Sequence, residues 1–273
     1  MFKGNRLVSS FKTLAVAAGV ITAIGATSGT ANAAPVLPDF TLNTTVFGGP
    51  NAALVADKFT GNYNEVLTVT GANTFSTVAY WDAGQVVHND GQTPYGANLS
   101  GLGSNYAIYA VFTANGTFTP NGSGFDFTSG VGSISLYLDQ NLDSSPKALP
   151  PSAPGAVTIP NTADDKLLAS AALLTGSGHE NATDPLASGD FGLLFQPFNL
   201  TALGATYFIQ PQPFYLQAVL KGQFNSFVPA GNQLINGSAD AFFADVAVPE
   251  PASLTLLGLG LAGLARRRRA AKA

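Results

Sequence analysis

The sequence predicts an all-β body, a jelly-roll-like β-sandwich, held between two ends that are not β. Three observations predict it. Short runs of apolar, β-branched and aromatic residues are separated by Gly, Asn and Pro punctuation. Few segments have the length and charge pattern of a surface helix. The run 133–139 alternates cleanly, with Ile134, Leu136 and Leu138 on one face and Ser135, Tyr137 and Asp139 on the other.

Residues 1–33 are expected to be a secretory signal helix. Lys3, Arg6 and Lys12 give a positive start, 14–24 is short and apolar, and Ala31-Asn32-Ala33 is a small-x-small cleavage site. That implies a secretion translocon and a signal peptidase as partners.

The body is expected at 34–247, one domain without repeats. Residues 35–50 suggest an extended entry strand. Gly61-Asn62-Tyr63-Asn64 reads as a hairpin turn between strands at 58–60 and 65–70. Residues 75–81 are β-rich, and 85–104 is mostly turn residues, with Asn89-Asp90-Gly91 the clearest turn. In 105–113 both faces are apolar, which implies a central strand. A hairpin is expected across Pro120-Asn121-Gly122-Ser123. After a proline-rich loop at 141–155, strands are expected at 190–195, 205–210, 214–220 and 238–246, and at 164–175 too, where the Leu/Ala content would also suit a helix but the neighbours are all strand-like.

Charge narrows the function. Between residues 34 and 248 four lysines and no arginine face 15 acidic residues, a formal charge of −11. Nucleic acid needs a basic stripe, so it is excluded as a partner. There is no cysteine, so an exported fold here does without disulfides.

The C-terminus, 248–273, is organised in three parts. Pro249-Glu250-Pro251 cannot continue a helix or sheet and stays accessible. The uncharged run 252–265 would reach about 21 Å as a helix, short of a hydrocarbon core of roughly 30 Å. Arg266, Arg267, Arg268 and Arg269 follow as a cytoplasmic stop. Gly258, Gly260 and Gly263 fit a dinucleotide-binding spacing, but they lie in this apolar run without the strand and acidic residue that motif needs.

In that order these parts resemble the PEP-CTERM sorting signal, which a bacterial membrane protease-transpeptidase, exosortase, reads. The resemblance implies an exosortase-like partner, a transient stay in the inner membrane, and delivery to the cell surface or extracellular matrix. Three body segments, 57–65, 189–195 and 237–243, resemble the flocculation-associated PEP-CTERM proteins. That likeness implies a role in cell aggregation within secreted polysaccharide, and it brings no catalytic residue with it.

The search for chemistry is short. His88 and His179 both lie in polar, turn-like sequence, with no G-x-S-x-G elbow and no zinc-ligand spacing. Asp139-x-Asn141-x-Asp143 places oxygens as a calcium loop begins, but positions six and twelve are Ser144 and Pro150, which favours a polar turn. Asp126, Asp139 and Glu180 are candidate acids for glycoside hydrolysis, and nothing pairs them. Trp81, with surface tyrosines, is the candidate platform for stacking on sugars. The expectation is a non-catalytic surface or matrix protein without cofactor or metal, with an exopolysaccharide as partner. A carbohydrate-binding module is the alternative, and a secreted hydrolase a lesser one.

Overall fold

The computed structural model describes residues 37–144, 159–181, 188–225 and 227–245. The expected signal helix with Ala31 and Ala33, most of the proline-rich loop and the whole C-terminal signal lie outside them.

Two short strands come first, β1 (Phe40–Leu42) and β2 (Leu54–Ala56), with a 3-10 turn, Thr44–Phe47, between them. Next are β3 (Lys58–Gly71), β4 (Thr74–His88), the two-residue β5 (Thr93–Pro94) and the one-turn helix α1 (Ala97–Ser100). Then follow β6 (Ala107–Pro120), β7 (Phe125–Asp139), β8 (Lys166–Glu180) and β9 (Gly189–Phe195). The last elements are β10 (Asn199–Leu200), α2 (Ala202–Tyr207), β11 (Phe208–Gln210), β12 (Gln217–Phe224) and β13 (Asn232–Ala244).

Eight of these strands form a closed antiparallel barrel in simple meander order. From β3 through β4, β6, β7, β8, β9, β12 and β13, each pairs with the next. The ring closes where β13 returns to β3, from Asn232↔Thr68 to Ala241↔Phe59. The expected jelly-roll sandwich is therefore corrected to a barrel. Alternation tells which face of a strand is buried, and both architectures bury one face per strand. What separates them is the pairing of the last long strand with the first, which no local pattern encodes.

The inward face follows period two. On β4 it carries Phe75, Thr77, Ala79, Trp81 and Ala83, all buried. On β7 it carries Ile134, Leu136 and Leu138, as the sequence predicts. The hairpin turn expected at 61–64 is instead the interior of β3. Gly61 sits at a register shift of the β3–β4 pair, and a Cβ there would run into the carbonyl oxygen of Asp82. The glycine marks a bulge with close backbone approach, not a turn. Asn89, Asp90 and Gly91 do turn, with φ of 61°, 53° and 73°. Residues 85–88, expected in a turn region, extend β4.

One end of the barrel is capped. β1 pairs with both β2 and β11 in a small antiparallel sheet. Phe40 of this sheet meets Phe59 and Phe243 of the barrel at ring separations of 5.5 and 5.1 Å. Phe208, Phe214 and Phe198 fill in around them. The chain at 205–210, expected to be one strand, begins as helix α2. The Thr201 side chain caps α2, accepting from the Gly204 N–H at 3.0 Å. The entry strand expected at 35–50 is likewise cut to β1 by the 3-10 turn, whose N-cap is Asn43.

Candidate functional site

In the half away from the cap the barrel interior is not completely filled. A cavity of about 90 Å³ lies there, floored by Trp81 and Leu220. Below that floor only about 20 Å³ remains between the rings and aliphatic chains of the capped half. Five phenylalanines face the cavity, Phe75, Phe112, Phe127, Phe191 and Phe224, and Phe227 of the β12–β13 loop packs edge-on against Phe127 from behind.

One carboxylate points into this apolar space. Glu65 follows Tyr63 by two positions on β3 and so shares its inward face. The Thr77 hydroxyl, across the pair on β4, donates to Glu65 Oε1 at 2.5 Å. Burial pushes the Glu65 carboxyl up to about 7, against the lowering effect of that hydroxyl. Tyr63 lines the same cavity, 5% exposed, and its buried hydroxyl has no hydrogen-bond partner. Burial raises the Tyr63 phenol, and the charge of Glu65 raises it further. The Tyr63 ring packs edge-on against Phe191 at 5.4 Å.

Sequence reasoning passed over Glu65. The signal was present in the alternation: Phe59, Tyr63 and Leu67 share a face with Glu65, which puts a single acid on the apolar side of a strand. Reading 61–64 as a turn broke that face in two and hid it.

Trp81 is not an exposed sugar platform. It is 4% exposed, faces the barrel interior, and its indole N–H donates to the Ala239 carbonyl at 3.0 Å. Alternation placed it inward, where a hydrogen-bond partner for the indole was available on β13. Among the other tyrosines, Tyr106 and Tyr207 are buried in the cap, with their hydroxyls 2.9 Å apart. Tyr80, Tyr109 and Tyr137 stack in a row on the outer wall at 5.3 and 5.1 Å.

The candidate acids are dispersed. Asp126 is exposed, and its carboxylate meets His179 Nδ1 at 2.7 Å on the outer wall. Glu180 is buried and accepts from the Phe227 N–H at 3.0 Å. Asp139 is 1% exposed, and its carboxylate accepts from the backbone N–H groups of Asn141, Leu142 and Ser144 at 2.9, 2.8 and 2.9 Å. These donors turn the chain as it leaves β7 and take both oxygens a calcium ion would need from this residue. His88 stacks on Tyr95 at 4.1 Å.

Pro249, Glu250, Pro251 and the arginines Arg266, Arg267, Arg268 and Arg269 lie outside the described residues. Among the described residues no helix is long and apolar enough to cross a membrane. No curated protein and no solved structure matches the chain. The family profile of the PEP-CTERM protein-sorting motif matches residues 247–269, from just before the Pro-Glu-Pro through the last of the four arginines. The chain thus carries the sorting signal of an exosortase substrate, which implies export and passage through the membrane before the cell surface.

Proposed function

We propose that this is a non-catalytic matrix protein, delivered to the cell surface by exosortase processing, that supports aggregation of cells within exopolysaccharide. The observation that carries the reading is the sorting motif at 247–269. The likeness of three body segments to flocculation-associated proteins supports the aggregation role. In the barrel, two of these segments are register partners: Ala239 faces Gly61, Asp240 faces Thr60, and Lys58 Nζ meets Asp240 at 2.8 Å. The third, on β9, supplies the Phe191 ring that meets Tyr63. The first two segments thus lie on adjacent strands, and the third lies beyond β12 and meets them through the Phe191 ring.

Mass spectrometry of protein recovered from the culture matrix tests the reading. The expected species has lost Arg266 to Arg269 and ends near Pro249-Glu250-Pro251. Deleting residues 249–273 is expected to abolish surface delivery and cell clumping. Matrix protein that retains its arginines, or clumping unchanged by the deletion, overturns it.

A further inference from the structure

Inside the barrel wall stands a group that the surface role does not use. Glu65 is a carboxylate in a chamber lined by aromatic rings and aliphatic chains, and no Lys or Arg is among the residues that line it. Among the described residues that line the chamber Tyr63 is the only other titratable one, and its hydroxyl lacks a partner. A buried charge is normally paired, and a buried hydroxyl is normally hydrogen-bonded. Two such groups face one cavity.

The lining selects the occupant's chemistry. An anion would be repelled by Glu65 and by the negative faces of the rings. A cation meets a carboxylate partner and π-faces that attract it when it is out of water. Beyond these the lining is mostly apolar, with the hydroxyls of Thr77, Ser129 and Ser177 as the polar exceptions, which calls for a hydrocarbon body behind the charge. Size limits that body: the cavity, about 90 Å³, is smaller than the roughly 150 Å³ apolar cavity that accommodates benzene. The strongly acidic body raises the local concentration of small cations around the barrel.

We propose that the chamber is a binding site for a small primary alkylammonium ion of about three to five carbons. Its ammonium group rests on Glu65, the Tyr63 hydroxyl accepts one of its N–H bonds, and its chain lies against the phenylalanine-lined wall above Trp81.

Titration calorimetry on the whole exported protein tests this with n-butylammonium chloride, butan-1-ol and sodium butyrate as probes. At pH 8 the ammonium ion is expected to bind about tenfold more tightly than the alcohol, with no binding of butyrate. At pH 5, where the carboxyl of Glu65 holds its proton and Tyr63 stays neutral, the preference is expected to vanish. Glu65→Gln is expected to abolish it at both pH values. Carbon-detected NMR of the Glu65 carboxyl in the unaltered protein gives a second readout that does not depend on the variant folding: butylammonium is expected to lower its titration midpoint. Equal affinity for ammonium and alcohol at pH 8, a preference retained at pH 5 or in folded Glu65→Gln, or a midpoint unmoved by butylammonium overturns the proposal. So does the absence of binding by all three probes, the result for a chamber that holds water alone.

Discussion

The two halves of the barrel are built from the same strands with the same alternation, yet they solve the interior differently. Under the cap, rings from β1, β11 and the barrel wall interlock, and the polar groups that enter find one another. Tyr106 and Tyr207 share a hydrogen bond there, and the Tyr106 hydroxyl also donates to the Ser100 carbonyl at 3.0 Å. Beyond Trp81 the space stays open, and it holds a carboxylate with a single donor and a tyrosine hydroxyl with none. An eight-stranded barrel is just wide enough to be filled by side chains or to hold one small ligand. This chain fills one half with side chains and leaves a cavity of about 90 Å³ in the other. Stability is therefore expected to concentrate in the capped half, and adaptability in the other.

The contrast breaks most visibly at Phe208. It is fully buried and meets Phe40, Phe59, Phe214 and Phe243. Phe208→Ala is expected to cost about 3–5 kcal/mol in urea unfolding, because the rigid ring cluster cannot collapse into the gap.

On the open side the sign reverses. The folded-state value of Glu65, about 7, lies above its ordinary 4.5, so the folded state binds the proton more tightly than the unfolded state does. The penalty for burying the charge is absent below about pH 4.5, grows as pH rises, and is complete above about 7. Glu65→Gln keeps an acceptor for Thr77 and removes the charge. It is expected to stabilise the protein by up to ~3 kcal/mol at pH 8, and hardly at all at pH 4. Thermal melting at the two pH values measures the difference. A variant that is no more stable at pH 8 would mean that the chamber solvates its carboxylate.

A smaller effect is expected where β7 ends on the outer wall near the cap. Asp139→Ala leaves three backbone N–H groups without their carboxylate and is expected to cost about 1–3 kcal/mol. Melting of the unaltered protein in calcium and in chelator is expected to give the same midpoint, since backbone donors already occupy that carboxylate.

How much of this was legible in the residues depended on distance along the chain. The alternation of 133–139, the turn at 89–91 and the hairpin across 120–123 are local, and the sequence shows them directly, whereas 164–175, whose Leu/Ala content also suits a helix, is strand from Lys166 on. Gly61 misled, because a glycine at a bulge and a glycine in a turn look alike until the opposing Asp82 carbonyl is in place. Closure rests on residues as far apart as Phe59 and Ala241. The chamber needs residues from at least six strands, so neither feature has a local signature. Trp81 shows the same limit: its aromatic character was plain, but whether it faced polysaccharide or the interior followed from the register of β4. The sorting tail is the opposite case, a signal read as linear sequence and therefore visible without any fold.

Closure of the wall has a consequence for life in a crowded matrix. Each of the eight barrel strands has a partner on either side over most of its length, so among the described residues the barrel offers no long row of free N–H and C=O groups for a second molecule to extend. Open sheets at high concentration are prone to cross-β stacking, and this shape removes the template for it. A coat built from such barrels would have to cohere through outward side chains and the polymer around them. It would then come apart when that polymer is digested, rather than persisting as insoluble fibre.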